Sequence, residues 1–236
     1  MTDLPLSDRI ALVTGASRGI GAATARSLAA RGAHVVLVAR TSGGLEETEE
    51  AIHAAGGTAT IAPLDLADGD SIGRLANAIA QRWERLDLLV LNAAMLGTLA
   101  PVPSIDSKEF SRLLTLNIAA NQAMIAAFDP LLRRSAAPRL IALTSSVGAS
   151  PRAYWGAYGA SKAALETLLL AYADEMSGLG DLRVAVVDPG ATATRMRAAA
   201  FPGEDPATIR QPDEVGEKLA ELAGSDFPTG QRLRLD

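Results

Sequence analysis

A tyrosine and a lysine four residues apart, Tyr158 and Lys162, have side chains that could move a proton together. A spacing of four residues places both side chains on one face of a helix. The ordinary pKa of a tyrosine is about 10, so an isolated phenol is a weak base at neutral pH. A neighbouring ammonium group favours the phenolate, and we expect Lys162 to lower the pKa of Tyr158. The pair could then exchange a proton with a substrate hydroxyl while a hydride moves to or from a nicotinamide.

A serine thirteen residues before the tyrosine, Ser145, could hold the substrate oxygen beside the phenol. Ser145 ends a run of apolar residues that predicts a strand. Ligands bind at the carboxyl ends of the strands in a doubly wound sheet, so Ser145 and the start of the Tyr158 helix should meet there. Tyr154 and Tyr172 are weaker candidates than Tyr158, because neither has a lysine four residues later.

A glycine-rich turn, Gly15-x3-Gly19-x-Gly21, follows the first predicted strand and opens the first predicted helix. Glycines at such a turn let backbone N–H groups approach a pyrophosphate at the N-terminus of the helix. The spacing differs from the usual Gly-x-Gly-x-x-Gly, and a glycine triplet can be a purely structural turn. The strand–turn–helix context favours a dinucleotide site.

The end of the second predicted strand indicates which dinucleotide is bound. An acidic residue there would bind the 2′-hydroxyl of NAD, but the strand ends in Ala39-Arg40 without a carboxylate. The guanidinium groups of Arg40 and Arg18 suit a 2′-phosphate, so the sequence favours NADP over NAD. The alternative is that both arginines are solvated surface residues. Asp65 could accept a hydrogen bond from the adenine amino group or cap the next helix.

Short β-branched runs alternate with longer amphipathic stretches along the chain, which predicts an α/β fold. Most strands are apolar on both faces, as in a parallel sheet covered by helices. We therefore predict a single domain over residues 1–236, a Rossmann-type doubly wound parallel sheet of about seven strands in three α/β/α layers. The predicted strands are Arg9–Thr14, His34–Ala39, Thr58–Pro63, Leu86–Asn92, Arg139–Ser145, Leu182–Asp188 and Gln231–Leu235.

The predicted helices lie between these strands, and one long segment has no periodic pattern. Residues 194–212 contain a Phe-Pro-Gly sequence and a further proline, and we expect an irregular, mobile lid there. Pro130 predicts a local break near the end of the longest helix. The predicted helices are Gly19–Arg31, 44–55, Ser71–Trp83, Asp106–Leu132, Tyr154–Met176 and Gln211–Leu222.

The composition excludes several classes of protein. The 236 residues include no cysteine, which excludes a disulfide scaffold, a thiolate metal site and a cysteine nucleophile. Two histidines do not suggest a metal site, and we expect none. A net charge of −5 argues against nucleic-acid binding. The N-terminal residues lack the apolar region of a signal peptide and no stretch is long enough to span a bilayer, so we expect a cytoplasmic protein without membrane contact.

Together, these motifs resemble the classical short-chain dehydrogenase/reductases over essentially the whole chain. The Thr-Gly-x3-Gly-x-Gly turn, Asn92-Ala93-Ala94, Asn117, Ser145, Tyr158-x3-Lys162 and Pro189-Gly190 occur in the order and spacing of that family. Residues 145–162 and 189–206 are similar to a bacterial subgroup whose substrate is unassigned. Ser146 is an alternative to Ser145 as the serine that holds the substrate oxygen. The family's spacing between this serine and the tyrosine favours Ser145.

The resemblance implies a role for each matching residue. Tyr158 would be the general acid/base, Ser145 would orient the carbonyl or alcohol, and Lys162 would bind the nicotinamide ribose. Asn117 would hold a water in a proton relay; its alternative role is that of a polar residue that bends a helix. Thr192 or Thr194 would bond the nicotinamide carboxamide. The implied cofactor site comprises Gly15, Ser17, Arg18, Gly19, Ile20, Gly21, Arg40, Asp65, Leu66, Asn92, Ala93, Tyr158, Lys162, Pro189, Gly190, Thr192 and Thr194.

Loops at the strand ends should contact the substrate. Most candidates are apolar, which favours an apolar or aromatic carbonyl compound, although several could be core or interface residues. Arg152, Arg195 and Arg197 could attract an anionic substrate or be solvated. The apolar candidates are Met95, Leu96, Val147, Tyr154, Trp155, Met196 and Phe201.

The predicted function is an NAD(P)-dependent oxidoreductase that interconverts a carbonyl and an alcohol. The resemblance implies that helices 106–132 and 154–176 pack across a two-fold axis in a homodimer or homotetramer. One alternative is a nucleotide-sugar epimerase or dehydratase on a related fold, which generally needs a second substrate domain. The other is a non-catalytic NADP-binding sensor or scaffold, against which the presence of Ser145, Tyr158 and Lys162 argues.

Overall fold

Seven parallel strands form one sheet in the computed structural model, which describes residues 4–235. The sequence predictions for residues 1–3 and 236 lie outside this range. The strand order is β3-β2-β1-β4-β5-β6-β7, and every neighbouring pair is parallel. The strands are β1 (Ile10–Thr14), β2 (His34–Ala39), β3 (Thr58–Pro63), β4 (Leu88–Leu91), β5 (Arg139–Leu143), β6 (Arg183–Asp188) and β7 (Gln231–Arg234).

Helices cover both faces of the sheet. Successive residues of a strand point to opposite faces, and Leu12 and Val13 of β1 accordingly belong to two different hydrophobic clusters. The predicted three-layer Rossmann-type fold is confirmed. The helices are α1 (Gly19–Ala30), α2 (Ser42–Ala54), α3 (Gly69–Trp83), α4 (Ser107–Leu114), α5 (Ala120–Leu132), α6 (Ser146–Ala149), α7 (Gly156–Met176), α8 (Arg195–Ala200) and α9 (Pro212–Gly224).

The order of the strands reverses at β1, which pairs with β2 on one side and with β4 on the other. In open parallel sheets a crevice forms outside the carboxyl ends of the strands at such a switch point. The glycine-rich turn leaves β1 at this place. Every residue of β1 is buried, so the strand gives the turn a rigid base.

The long helix predicted over Asp106–Leu132 is interrupted. A π-helical turn, Thr115–Ala119, separates α4 from α5 and places Asn117 in its middle. Such turns leave carbonyl groups without their usual helical partner, and the side chain of Asn121 donates to the carbonyl oxygen of Asn117 at 2.9 Å. The break predicted at Pro130 is wrong, since α5 continues through it and its last two leucines are buried.

The segment predicted as irregular, residues 194–212, contains regular structure. It holds α8 and a 3₁₀ turn at Pro206–Thr208, and Thr192 forms a parallel bridge with Arg210. The hydroxyl oxygen of Thr194 accepts a hydrogen bond from the backbone N–H of Arg197 at 3.1 Å, which caps α8. The prediction of irregular structure was wrong because a six-residue helix is too short for a periodic pattern, and the same holds for α6. The mobility of the segment stays a prediction.

The described residues contain neither a membrane-spanning helix nor a cluster of metal-binding side chains. Between residues 4 and 235, no helix combines the length and the apolar character that crossing a bilayer requires. Within the same range, His, Asp and Glu side chains do not gather in groups of three that could hold a metal ion.

A glycine in α9 allows that helix to pack tightly against α1. A Cβ atom at Gly216 would lie 2.6 Å from the carbonyl carbon of Ala23. We expect Gly216→Ala to lower the free energy of unfolding by about 1–3 kcal/mol, because the helices must separate. Urea denaturation measures this change.

The matched control is the same substitution on the exposed face of α3. A Cβ atom at Gly73 would meet no heavy atom within 4 Å. Gly73→Ala should raise the free energy of unfolding by about 0.5–1 kcal/mol, since alanine is the better helix former. A shift in the same direction for both variants would contradict the packing argument.

Candidate active site

Tyr158 and Lys162 lie together at the carboxyl end of β5. The ammonium nitrogen of Lys162 donates to the carbonyl oxygen of Leu143 at 2.8 Å and lies 5.6 Å from the centre of the Tyr158 ring. Both residues are buried, with exposed fractions of 7% for the tyrosine and 3% for the lysine. The structure thus brings together the two side chains whose spacing predicted a proton-transfer pair.

The protonation of this pair differs from the expectation. Burial and the nearby carboxylate of Asp188 raise the pKa of Tyr158 above its ordinary value. The prediction that Lys162 lowers the pKa of Tyr158 is therefore wrong. Burial also lowers the pKa of Lys162 to about 8, against the opposing effect of Glu166. At neutral pH the phenol is therefore protonated and the lysine remains charged.

Ser145 lies two residues beyond the end of β5 and directly precedes α6. Its side-chain hydroxyl makes no capping hydrogen bond to the N-terminus of α6. Glycines bring α6 close to α7: a Cβ atom at Gly159 would lie 2.8 Å from the carbonyl oxygen of Val147. This close packing holds Ser145 beside the helix of Tyr158. The preference for Ser145 over Ser146 stays a prediction.

Asn117 is fully buried in the π-helical turn, and its side chain connects the loop after β4 to α7. Its side-chain oxygen accepts from the N–H of Met95 at 2.9 Å, and its amide nitrogen donates to the carbonyl of Met95 and to the hydroxyl of Ser161, at 2.9 and 3.0 Å. Both N–H donors are therefore used. A water held by Asn117 would bond to its backbone carbonyl, which has a second lone pair beside the bond from Asn121.

The glycine-rich turn is braced by Asn92. Gly15 and Gly19 have φ angles of +67° and +57°, a region in which glycine has no steric cost. The side-chain nitrogen of Asn92 donates to the carbonyl oxygen of Thr14 at 2.8 Å. A Cβ atom at Gly21 would lie 2.5 Å from the same nitrogen, so the brace leaves room only for glycine.

The segment after β6 lies opposite this turn. A Cβ atom at Gly19 would lie 3.5 Å from the methyl group of Thr194. Gly190 has a φ of +71°, and its N–H donates to the carboxylate of Asp188 at 3.0 Å. The hydroxyl of Thr194 caps α8, and that of Thr192 lies 3.4 Å from the carbonyls of Pro189 and Gly190. The choice between the two threonines stays open.

The predicted adenosine end of the site is exposed. Arg18 and Arg40 lie at the surface, and neither forms an ion pair with another described residue. Asp65 is also exposed, and its carboxylate accepts from the N–H of Ala67 at 3.0 Å. Its alternative role as a helix cap is wrong, because Asp68 caps α3. Leu66 is buried.

A row of aromatic side chains leads from the tyrosine to α8. The ring of Trp155 lies 6.1 Å from that of Tyr158 and 5.7 Å from that of Phe201. The guanidinium of Arg197 lies over the Phe201 ring at 3.7 Å and donates to the carboxylate of Glu204 at 2.6 Å. The charge of Arg197 is therefore already paired within the chain.

The remaining candidates for substrate contact are spread around this row. Val147 is buried, whereas Tyr154 is 60% exposed and has a φ of +71°. A positive φ at a bulky residue is uncommon and occurs preferentially at functional sites. Three further candidates are half-buried, namely Met95, Leu96 and Met196. The arginines Arg152 and Arg195 are exposed.

The residues at the start of α1 fit the pyrophosphate of a nicotinamide dinucleotide. The residue before α1, Arg18, makes no side-chain cap, and the first turn of the helix holds no acidic residue. The backbone N–H groups of this first turn therefore have no acidic side chain of the same turn against them, and they can bind an anionic ligand. The uncapped helix and the glycines of the turn together form a cradle for a phosphate group.

The sequence did not reveal two polar residues near Lys162, nor the effect of a third on Tyr158. Thr144 and Glu166 are buried and bonded to each other, and Asp188 acts on the phenol of Tyr158. The spacing of four residues between Lys162 and Glu166 was the one signal in the sequence that could have identified Glu166. No pattern in the sequence places Thr144 against Glu166, since they lie on different elements.

Known proteins are similar to this chain over most of its length. Residues 9–205 match a family model described as short chain dehydrogenase. The chain is 38% identical over 224 residues to YciK, an uncharacterised oxidoreductase of Escherichia coli strain K12, covering 94% of this chain and 88% of YciK. The resemblance predicted from the motifs is confirmed.

Two solved structures extend the comparison to the fold. A short chain dehydrogenase structure from Pseudomonas syringae has 38% identity and a TM-score of 0.95, covering 98% of this chain and 96% of that one. Another from Shigella flexneri 2a strain 301, complexed with NADP, has 37% identity and a TM-score of 0.93, covering 99% of both chains.

The buried lysine should make stability depend on pH. Because the pKa of Lys162 is about 8 in the folded chain and 10.5 ordinarily, the unfolded chain binds more protons between these values, and stability rises with pH there. From about pH 7 to about pH 9.5, the wild type should gain about 2 kcal/mol relative to Lys162→Met. Urea denaturation of both proteins at the two pH values measures the difference. Parallel curves would show that Lys162 titrates normally.

Proposed function

The chain belongs to the short chain dehydrogenase family, and on this basis we propose that it is an NADP(H)-preferring oxidoreductase that interconverts a carbonyl and an alcohol. Oxidoreduction with a nicotinamide cofactor and a small-molecule substrate follows from the family. The observation that carries the finer proposal is the pairing of buried Tyr158 and Lys162 at the carboxyl end of β5.

Each of these side chains has a proposed task. The cofactor, when bound, supplies or accepts the hydride. In the direction of reduction, Tyr158 donates its proton to the carbonyl oxygen, and its raised pKa keeps that proton in place at neutral pH. The hydroxyl of Ser145 orients the same oxygen. The charge of Lys162 stabilises the phenolate that forms and binds the ribose hydroxyls. Asn117 holds the relay water at its backbone carbonyl.

The proposed preference for NADP rests on the adenosine end of the site. Arg18 and Arg40 are exposed and free of ion pairs with the described residues, and β2 ends without a carboxylate. A guanidinium group can donate two parallel hydrogen bonds to the oxygens of a phosphate, so both arginines suit a 2′-phosphate. The Shigella flexneri relative was solved as a complex with NADP, which supports the same cofactor here.

The proposed substrate is a largely apolar carbonyl compound, since Trp155 and Phe201 extend the wall beside Tyr158. We further propose one catalytic domain over residues 1–236 and a homodimer or homotetramer formed through α5 and α7. A cytoplasmic location stays a prediction.

Replacing the phenol should abolish turnover without loss of cofactor binding. For Tyr158→Phe we expect NADPH to bind as in the wild type, while its oxidation falls at least about 100-fold, because the proton donor is gone. The assay follows NADPH absorbance with a panel of ketones, aldehydes, quinones and acyl thioesters.

The control is Tyr172→Phe on the same helix, whose hydroxyl bonds Asp129. It should retain wild-type turnover. If the wild type binds NADPH but oxidises it with no compound in the panel, the chain is a sensor or scaffold and not a reductase.

The cofactor preference has its own test. Arg40→Asp should weaken NADPH binding at least about tenfold and leave NADH binding nearly unchanged, because the carboxylate repels only the 2′-phosphate. Fluorescence titration with each cofactor measures both affinities. Arg82→Asp changes the net charge equally, from the exposed end of α3, and should affect neither. Equal losses for both cofactors with Arg40→Asp would refute a 2′-phosphate contact.

A further inference from the structure

A buried carboxylate lies one helical turn beyond Lys162. Glu166 is only 8% exposed, and a carboxylate at this depth is costly unless it is bonded. The hydroxyl of Thr144 donates to one of its oxygens at 2.5 Å, and the Nε atom of Arg232 in β7 lies 3.5 Å from the other. A hydroxyl from the residue after β5 and a cation from β7 thus hold the carboxylate between them.

The same strand end anchors the two buried charged side chains of α7. Leu143 accepts from the ammonium of Lys162, and the next residue, Thr144, donates to Glu166. Ser145 follows immediately. A spacing of four residues puts the cation and the anion on the same face of α7. Any displacement of this helix against β5 would therefore move both charged groups relative to Ser145.

The titratable groups around Lys162 come from three elements. On α7 itself these are Tyr158 and Glu166; β6 contributes Asp188, which acts on the phenol, and β7 contributes Arg232, which acts on Glu166. The contacts from β5, from α6 and from the π-helical turn are uncharged. Burial lowers the pKa of Lys162, and Glu166 is the group that opposes this effect.

We propose that Glu166 is a positioning residue that keeps Lys162 charged, with Thr144 holding the carboxylate and Arg232 closing the cluster toward solvent. Without the carboxylate, the ammonium would keep its bond to Leu143 but lose its counter-charge in a region of low dielectric constant. The lysine would then be neutral over more of the neutral pH range.

The consequence for turnover rests on the proposed function. If charged Lys162 supports the phenolate of Tyr158, activity falls as the lysine loses its proton near pH 8, and removal of Glu166 moves this fall to lower pH. The charge of Lys162 can, however, be measured without any substrate. Failure of the inference and failure of the proposed function are therefore distinguishable.

The decisive measurement is an NMR titration of the full chain labelled with ¹³C at the lysine Cε atoms. The sequence contains three lysines, so Lys108→Arg and Lys218→Arg assign every signal. In Glu166→Gln, the pKa of Lys162 should fall by about one pH unit. Glu166→Asp, which keeps the charge, should restore part of this loss, as a merely structural role would not. Glu175→Gln, an exposed change on the same helix, should leave the titration unmoved.

An unchanged titration of Lys162 in folded Glu166→Gln overturns the proposal. If that variant does not fold, Arg232→Gln decides, because Arg232 is 65% exposed in its side chain and its loss should not unfold the chain. Removing this positive charge leaves Glu166 less compensated, so the pKa of Lys162 should rise. No rise, or a fall, overturns the proposal. A shifted titration without a matching shift in the pH profile of turnover would count against the proposed role of Lys162 and not against its counter-charge.

Discussion

The burial of one ammonium group is the constraint on which the rest of the site depends. Lys162 lies inside the protein at the end of β5, where a charge is stable only with hydrogen-bond partners and a counter-charge. The carbonyl oxygen of Leu143 provides the bond, and the carboxylate of Glu166 provides opposite charge within the same helix. Since both partners stand on or against β5, the position of α7 relative to the strand determines the charge at the site.

Close backbone contacts hold the other side of the crevice. Asn92 bonds the end of β1, and glycines fill the space where any side chain would collide with it. Glycines also let α6, which follows Ser145, approach α7, which carries Tyr158. The same packing buries the phenol, which raises its pKa and keeps it protonated. The geometry that positions the tyrosine therefore also sets its protonation state.

Much of the fold follows from local patterns in the chain. All seven strands occur within two residues of the predicted bounds at each end. Five of them, all but β3 and β7, are mostly buried on both faces, and such runs have few alternatives. The π-helical turn around Asn117 was not predicted, since its bonds run to Met95 and Ser161, far away in sequence. The short helices α6 and α8 were missed because four to six residues do not complete a helical period.

The sequence by itself determined the sheet, the glycine turn and the pairing of Tyr158 with Lys162, because each depends on residue type and spacing over a few positions. Only the tertiary structure decided the electrostatics of that pair. Burial is a property of everything packed around a group, and the direction in which the pKa of Tyr158 moves follows from burial and from Asp188 on another strand. The bond between Thr144 and Glu166 likewise exists only because β5 and α7 meet.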